Sequence, residues 1–157
     1  LMPALTLSGQ NGLDTNAKGI LMTEQRATYG FEQSDVIPAP PGDVYQAWMS
    51  SAGHTGMTGA EAVVNPVIGG EFSAWDGYIW GRTLALDPGV RILQSWRTSE
   101  FDEGDADSQV EVVLEPVAGG TSIRLRHTCV PADQLGYENG GWQDNYFEPM
   151  KAYFGAL

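Results

Sequence analysis

Basic residues are scarce in this chain of 157 residues: eight Lys and Arg stand against twenty Asp and Glu, which gives a formal net charge of −12. A surface this acidic repels phosphate backbones and anionic lipids, so we expect neither nucleic acid nor a membrane as a partner. No apolar run approaches the roughly 20 residues that span a bilayer, and no basic flank with an apolar core indicates a secretion signal. These absences favour a cytoplasmic protein.

Cysteine and histidine are equally rare, with one Cys and two His in the chain. The single Cys129 rules out an internal disulfide and fits a reducing compartment. One Cys and two His do not make the usual zinc ligand sets, so we expect no metal and no cofactor. The glycine pairs lack a following helix with Lys-Ser or Lys-Thr, which excludes a phosphate-binding loop.

Aromatic residues, by contrast, are plentiful: five Trp, six Tyr and five Phe accompany a hydrophobic fraction of 42%. This composition is typical of a globular chain, and the length suits one domain with a proper core. Residues 1–28 show no sustained hydrophobic period, and Met22 resembles a natural start. We therefore expect a flexible leader or added sequence at 1–28 and one domain at 29–157.

Hydrophobic periodicity predicts a first strand, two short helical segments and then six more strands. The first strand is Tyr29–Ile37, the helix is Asp43–Ser50, and Ser51–Gly59 holds a second short helical turn. The later strands are Glu61–Asn65, Glu71–Trp75, Tyr78–Leu86, Arg91–Ser99, Ser108–Val117 and Thr121–Val130. Turns as short as those between them make consecutive strands antiparallel neighbours.

Period-two alternation predicts which side of each strand is buried. In three of the strands, Tyr78–Leu86, Ser108–Val117 and Thr121–Val130, the apolar residues lie on one face. These residues are Tyr78, Trp80, Leu84 and Leu86 in the first, Val110, Val112 and Leu114 in the second, and Ile123, Leu125, His127 and Cys129 in the third.

The C-terminal stretch Asn139–Leu157 predicts a long helix that covers this apolar face. Its apolar residues recur at gaps of three and four, so they share one side of a helix: Trp142, Tyr146, Met150, Tyr153 and Leu157. A sheet that curls around such an aromatic helix tends to leave a cavity between the two. Pro149 interrupts the helix hydrogen bonds, and a kink there would act as a gate to that cavity.

Several short fragments occur in order between Tyr29 and Phe154: Val36-Ile37-Pro38-Ala39-Pro40, Val44-Tyr45-Gln46-Ala47-Trp48, Gly69-Gly70-Glu71-Phe72, Trp75-Asp76-Gly77-Tyr78-Ile79, Gly81, Ser95-Trp96-Arg97, Gly120-Thr121, His127, Gly141-Trp142 and Tyr146-Phe147-Glu148-Pro149-Met150-Lys151. With these fragments the chain resembles the START-like (SRPBCC) superfamily, in the branch related to the C-terminal domain of the activator of heat-shock-protein-90 ATPase. The resemblance implies an α+β helix-grip fold, in which a curved antiparallel sheet wraps around a long C-terminal helix and two short helices follow the first strand. Because the superfamily includes ligand carriers, cyclases and co-chaperone domains, function must be argued from the site.

Residues expected to face the cavity are the candidate ligand contacts: Trp48, Phe72, Trp75, Tyr78, Trp80, Trp96, Arg97, His127, Trp142, Tyr146 and Met150. For each aromatic residue the alternative is ordinary core packing. Glu71 and Arg97 could orient the polar end of a ligand or form a salt bridge between strands. Asp76, directly before Gly77, fits a turn.

His127 is the candidate catalytic residue, because it lies on the apolar side of its strand and points toward the expected cavity. It could act as an acid–base or hydrogen-bonding group toward a ligand. Alternatively, it is a core histidine whose nitrogens are satisfied by neighbouring groups. A carboxylate beside it, such as Glu71, would favour catalysis.

Three functions remain open. The first is binding of a small hydrophobic ligand, apolar or aromatic with one polar end, in the cavity between sheet and C-terminal helix. The second, implied by the resemblance, is a co-chaperone-type module that stimulates a heat-shock-protein-90 ATPase. The third is a cavity enzyme with cyclase, proton-transfer or hydrolase chemistry based on His127.

Overall fold

A curved sheet of seven antiparallel strands forms the centre of the fold in the computed structural model, which describes residues 26–157. The strand order is β1-β7-β6-β5-β4-β3-β2. The strands are β1 (Thr28–Ile37), β2 (Val63–Val64), β3 (Glu71–Ala74), β4 (Ile79–Asp87), β5 (Arg91–Thr98), β6 (Ser108–Val117) and β7 (Gly120–Pro131). The helices are α1 (Pro41–Trp48), α2 (Ser51–Thr58) and α3 (Glu148–Gly155). The predicted helix-grip class is confirmed.

The predicted leader at 1–28 concerns residues that lie, up to residue 25, outside the described part of the chain. That prediction therefore stays a prediction. None of the helices in residues 26–157 is long and apolar enough to cross a membrane.

Helices α1 and α2 form a tight pair after β1. Pro41 occupies the first turn of α1, where its missing N–H costs nothing. Ser50 caps α2, because its Oγ accepts a hydrogen bond from the N–H of Gly53 at 2.9 Å. A Cβ at Gly53 would lie 2.5 Å from the Cα of Ala47, so this contact between the helices requires glycine. The pair buries Trp48 and His54.

A bulge in β4 makes the predicted buried side of this strand wrong in its first half. The pairing with β5 shifts register between Thr83 and Ala85. Ile79 and Thr83 point into the core, whereas Trp80 and Leu84 are each 41% exposed on the outer surface. Beyond the bulge the alternation is inverted, and Leu86 packs against the core as predicted.

A second irregularity lies near the end of β7, where the pairing with β1 shifts between Tyr29 and Phe31. Cys129 adopts a φ of +60° and is exposed. The prediction that Cys129 faces inward is therefore wrong, and Val130 takes the buried position instead. His127, before the irregularity, is buried as predicted.

The C-terminal helical segment differs from a regular helix over Asn139–Leu157. Asn139 and Gly140 have non-helical dihedral angles. Wide π-helical turns then precede α3, and the Glu148 N–H bonds to the carbonyl of Gln143, five residues back. Pro149 lies at the start of α3 and cannot donate to Asn145, so the widened turn replaces part of the regular bonding. The predicted gate at Pro149 stays a prediction.

The middle of this segment lies in the hydrophobic core. Phe147 and Met150 are completely buried against the sheet. Leu157, predicted on the apolar stripe, is 85% exposed beyond the end of α3.

Candidate functional site

A buried aromatic cluster lies where α1, β5, β7 and the C-terminal segment meet. Its central residue is Trp142, which is 2% exposed. The ring centroid of Trp142 lies 4.9 Å from that of Tyr146, 5.7 Å from Trp96 and 6.5 Å from Trp48. These separations are those of favourable aromatic pairs, so the rings tie α1 and β5 to the C-terminal segment.

Hydrogen bonds fix the protonation of His127 at the edge of this cluster. The indole Nε1–H of Trp142 donates to Nδ1 of His127 at 3.1 Å. An indole nitrogen only donates, so Nδ1 is the acceptor and Nε2 carries the proton. Nε2–H donates to Oγ of Ser108 at 2.9 Å, and this hydroxyl donates to the carbonyl of Trp96 at 2.6 Å.

His127 is therefore a core histidine with both nitrogens satisfied. Burial lowers the pKa of His127 to about 3, which keeps the ring neutral near pH 7. Its hydrogen-bond partners are Ser108 and Trp142, and no carboxylate is among them. Trp142 and the neighbouring rings cover His127, which is completely buried, so its predicted role toward a ligand stays a prediction.

The second histidine, His54, was not predicted to take part in the site. Its Nδ1–H donates to the carbonyl of Trp48 at 2.9 Å, and its Nε2 accepts from the hydroxyl of Tyr146 at 2.8 Å. Burial lowers the pKa of His54 and raises that of Tyr146, so both groups are neutral near pH 7. This bond locks Tyr146 against α2.

A cleft of about 610 Å³ opens at one end of the aromatic cluster. It lies between the β3–β4 turn, the end of β5 and the segment that follows β7. Its volume falls within the range of small-molecule sites. The lining residues are Trp75, Tyr78, Ile79, Trp96, Glu100, Asp133, Gln134, Leu135, Gly136, Tyr137, Gly141, Trp142, Asn145 and Tyr146.

Trp75 reaches the cleft from a strained turn. Trp75 and Asp76 have φ values of +54° and +58°, the left-handed region that side chains other than glycine rarely adopt. The Gly77 N–H bonds to the carbonyl of Ala74 and closes the turn at 3.2 Å. Glu61 anchors the turn from outside, since its N–H donates to Oδ1 of Asp76 and its carbonyl accepts from the Asp76 N–H, both at 3.0 Å. These contacts offset a strain of about 1–3 kcal/mol per residue.

Polar groups concentrate on one side of the cleft. The Tyr137 hydroxyl donates to Oε1 of Gln134 at 2.9 Å, and the Gln134 amide donates to the carbonyl of Glu100 at 3.0 Å. Burial, together with the nearby Tyr78 and Glu100, raises the pKa of Tyr137 to about 12. Burial and Glu100 also raise the pKa of Tyr78. The phenols therefore stay protonated and can donate hydrogen bonds.

The structure separates the predicted ligand contacts into three groups. Those that line the cleft are Trp75, Tyr78, Trp96, Trp142 and Tyr146. Those buried in the core without lining it are Trp48, Phe72, His127 and Met150. Trp80 and Arg97 do not line the cleft. The predicted inward orientation of Trp80 is wrong, because before the bulge the buried face of β4 carries Ile79 and Thr83 and the opposite face carries Trp80.

Charged residues flagged in the sequence serve structural contacts. Glu71 pairs with Arg82 across neighbouring strands at 2.7 Å. Arg97 binds the carboxylate of Asp107 at 2.7 Å and the carbonyls of Asp102 and Asp105 at 3.0 Å each. It thereby fixes the acidic loop after β5 and does not reach the cleft.

The largest omission of the sequence-based prediction is the segment between β7 and the C-terminal helix. Asp133, Gln134, Leu135 and Tyr137 all come from it. Tyr137, an aromatic residue in the connection after β7, was the available signal. Within residues 26–157 no group of three or more His, Cys, Asp and Glu is placed to hold a metal ion.

A family model and the relatives with similar sequences indicate the same family. The family model described as Activator of Hsp90 ATPase homolog 1-like protein matches residues 38–155. The activator of 90 kDa heat shock protein ATPase homolog from Dictyostelium discoideum is 26% identical over 134 residues, 84% of this chain and 34% of the relative. The human activator of 90 kDa heat shock protein ATPase homolog 1 is 27% identical over 115 residues, 73% of this chain and 34% of the relative. The chain thus spans about a third of the length of these relatives.

Solved structures agree with the fold. The crystal structure of an HSP90 activator from Plasmodium falciparum matches with a TM-score of 0.74 and 25% identity, covering 81% of this chain and 96% of that one. A protein from Mesorhizobium loti matches with a TM-score of 0.69 and 21% identity, covering 82% and 98%. The second likeness shows the fold alone.

Proposed function

The chain belongs to the family of Activator of Hsp90 ATPase homolog 1-like proteins, and from this premise we propose that its domain binds a small apolar or aromatic molecule in the cleft beside the C-terminal helical segment. The observation that supports this most is the cleft itself, about 610 Å³ in volume with three Trp and three Tyr in its lining. Sites of this kind are mostly apolar, with a few polar groups that orient the ligand. The ligand contacts in this proposal are Trp75, Tyr78, Trp96, Trp142 and Tyr146.

Two features of the cleft favour binding over simple packing. Tyr78 is 37% exposed at its mouth, so an aromatic surface faces solvent there. Trp75 keeps a strained backbone conformation while its side chain lines the cleft, and strain of this kind clusters at functional sites. A ligand would cover both surfaces.

Binding can be tested with the neutral, polarity-sensitive dye Nile red. We expect Tyr78→Ala to weaken dye binding by about fivefold to tenfold, because apolar contact area is lost at the mouth. Trp80→Ala is the matched control, since Trp80 has similar exposure, 41%, but does not line the cleft. Dye fluorescence titration measures both variants against the unaltered chain. Equal affinities for all three proteins would remove the proposal.

Native mass spectrometry of the purified chain gives an independent measurement. A mass adduct that is present in the unaltered chain and in Trp80→Ala, but reduced in Tyr78→Ala, would identify a natural ligand of the cleft. An adduct retained equally in both variants would place the molecule elsewhere.

A second candidate function is stimulation of an Hsp90-type ATPase. It is supported by the names of the Dictyostelium discoideum and human relatives and by the match to the Plasmodium falciparum HSP90 activator over 96% of that chain. We expect the chain to bind a purified Hsp90-type chaperone and raise its ATP turnover. Unchanged turnover at a large excess of the chain would remove this candidate and leave the ligand proposal intact.

A further inference from the structure

The charges that line the cleft are both negative. They belong to Glu100 and Asp133. Asp133 is compensated, because its Oδ2 lies 2.7 Å from Nη1 of Arg26. Glu100 makes no ion pair within the described residues 26–157. Among these described residues, the Glu100 carboxylate therefore has no basic partner, and Glu100 is exposed at the edge of the aromatic lining.

Glu100 is placed where a ligand would meet it. Glu100 lines the cleft together with Tyr78 and Tyr137, and its charge contributes to the raised pKa of both phenols, after the larger effect of burial. The main chain is fixed as well, because the Glu100 N–H donates to Oγ1 of Thr98 at 3.0 Å and its carbonyl accepts from Gln134. The carboxylate thus stands at the polar side of an aromatic-walled space.

Aromatic walls add to the same electrostatic preference. Ring faces carry negative potential, so a cation is attracted to Trp most strongly and to Tyr less. Trp96 and Tyr137 stand nearly perpendicular, at 88° with centroids 5.3 Å apart, and Trp142 lies 5.7 Å from Trp96 at 44°. Trp96, Tyr137 and Trp142 all line the cleft, so their rings form part of its wall.

Arg26 and Arg97 do not reverse this preference for a cation. Arg26 is engaged by Asp105 as well as Asp133, and Arg97 is held by Asp107 and by loop carbonyls. Neither arginine lines the cleft. The whole chain adds a field of the same sign, with its net charge of −12.

From these contacts we propose that the cleft selects an organic cation, an ammonium group attached to an apolar or aromatic body, over neutral and anionic molecules of the same shape. The inference rests on the proposed ligand-binding function and names the chemical class of its ligand. The ammonium group lies near Glu100 and the indole faces, and the apolar body contacts the remaining walls. An anion at the same place would meet an uncompensated carboxylate.

Three probes of matched shape test the selectivity: 4-hydroxyphenyltrimethylammonium, neutral 4-tert-butylphenol and 4-hydroxybenzenesulfonate. Each is titrated into the full chain and followed by tryptophan fluorescence and by NMR chemical shifts. We expect the ammonium probe to bind about tenfold more tightly than the neutral probe, and the sulfonate to bind most weakly.

Glu100→Gln isolates the carboxylate. We expect this variant to lose several-fold in affinity for the ammonium probe while its affinity for 4-tert-butylphenol is unchanged. Glu115→Gln is the matched control, because Glu115 is exposed near the β6–β7 turn and does not line the cleft. It should bind all three probes as the unaltered chain does.

The outcomes separate this inference from the proposed function. If 4-tert-butylphenol binds as tightly as the ammonium probe, or if Glu100→Gln leaves both affinities unchanged, ligand binding stands and the charge preference is overturned. If no probe binds at millimolar concentration and Nile red also fails, both proposals are overturned.

Discussion

Trp142 is the residue on which the geometry of the aromatic cluster depends most directly. Its indole N–H starts a chain of hydrogen bonds through His127 and Ser108 to the carbonyl of Trp96. This chain sets the tautomer of His127 and ties the Trp142 ring to the main chain at Trp96. The wall of the cleft that Trp142 forms is therefore held by polar bonds as well as by packing.

The buried, neutral His127 predicts a pH-dependent stability. Its pKa is about 3 in the folded chain and about 6.5 when unfolded. Between these values the unfolded state binds the extra proton, so the free energy of unfolding falls as the pH falls below 6.5. We expect His127 to account for a loss of about 2 kcal/mol between pH 7.5 and pH 5.0. Urea unfolding at the two pH values measures it.

The variant His127→Gln is the control for this effect. It should be less stable than the unaltered chain at pH 7.5. Its free energy of unfolding should nevertheless change less with pH, by a slope that corresponds to about one bound proton. An NMR titration in which the His127 ring protonates near pH 6.5 in the folded chain would contradict the prediction.

The sequence could predict that His127 is buried but not what it contacts. Alternation along β7 correctly predicted that His127 lies on the buried face of the strand. Its partners, Ser108 and Trp142, come from β6 and the C-terminal segment, and side-chain distances between separate elements cannot be derived from periodicity. For the same reason the bond between His54 and Tyr146 was missed.

At the scale of elements, the close approach of β4 to β5 depends on Gly81. A Cβ at this position would overlap the carbonyl oxygen of Ser95 in the neighbouring strand. The Oγ of the same Ser95 accepts a hydrogen bond from the Arg82 N–H at 2.9 Å. Glycine at this point lets the two strands come together just before the β4 bulge.

Gly81→Ala should therefore destabilise the domain by more than about 2 kcal/mol, since backbone of β4 or β5 must move. Gly42→Ala is the matched control. Gly42 lies in the first turn of α1, and a methyl group at its Cα would meet nothing within 4 Å, so alanine should be neutral or stabilise by up to about 1 kcal/mol. Urea midpoints of both variants check the pair, and equal shifts would contradict it.

Bulges limit what a period of two can predict about the elements. The strands themselves were placed within a residue or two, because turn residues such as Asp76-Gly77 and Gly119-Gly120 mark their ends. One extra residue at a bulge puts alternate side chains on opposite faces before and after it, so a single period of two cannot describe both parts of the strand. This is why Trp80 and Cys129 are exposed, although alternation across the whole strand places both inside.

At the scale of the whole molecule, the net charge of −12 opposes compaction. We expect the thermal midpoint to rise when NaCl is increased from about 20 to 300 mM, because the Debye length falls to less than about 10 Å. If the added salt reduces the charge repulsion in the folded state by about 1 kcal/mol, the thermal midpoint rises by roughly 2–4 °C. Differential scanning calorimetry measures it, with KCl as the matched salt. A lower midpoint would mean that exposed ion pairs such as Arg124–Glu32 outweigh the repulsion.

The overall architecture followed from the sequence, whereas the position of the cleft did not. The order of elements predicted an antiparallel sheet covered by the aromatic C-terminal stretch, and the family resemblance implied the helix-grip fold. Phe147 and Met150, in the middle of the helical segment, are completely buried, and the cleft lies beside the first part of that segment. How side chains fill an interior depends on their volumes and rotamers together, and a one-dimensional pattern does not contain that information.

The π-helical turns before Pro149 have a consequence for how the family can change by insertion and deletion. Such a turn holds one more residue than an α-helical turn. Loss of a single residue between Gln143 and Phe147 would restore regular winding and rotate everything before it by about 100°. The Trp142 indole would then lose its hydrogen bond to His127 and turn away from the cleft that it lines. The length of this short stretch, as much as its composition, keeps the cleft in place.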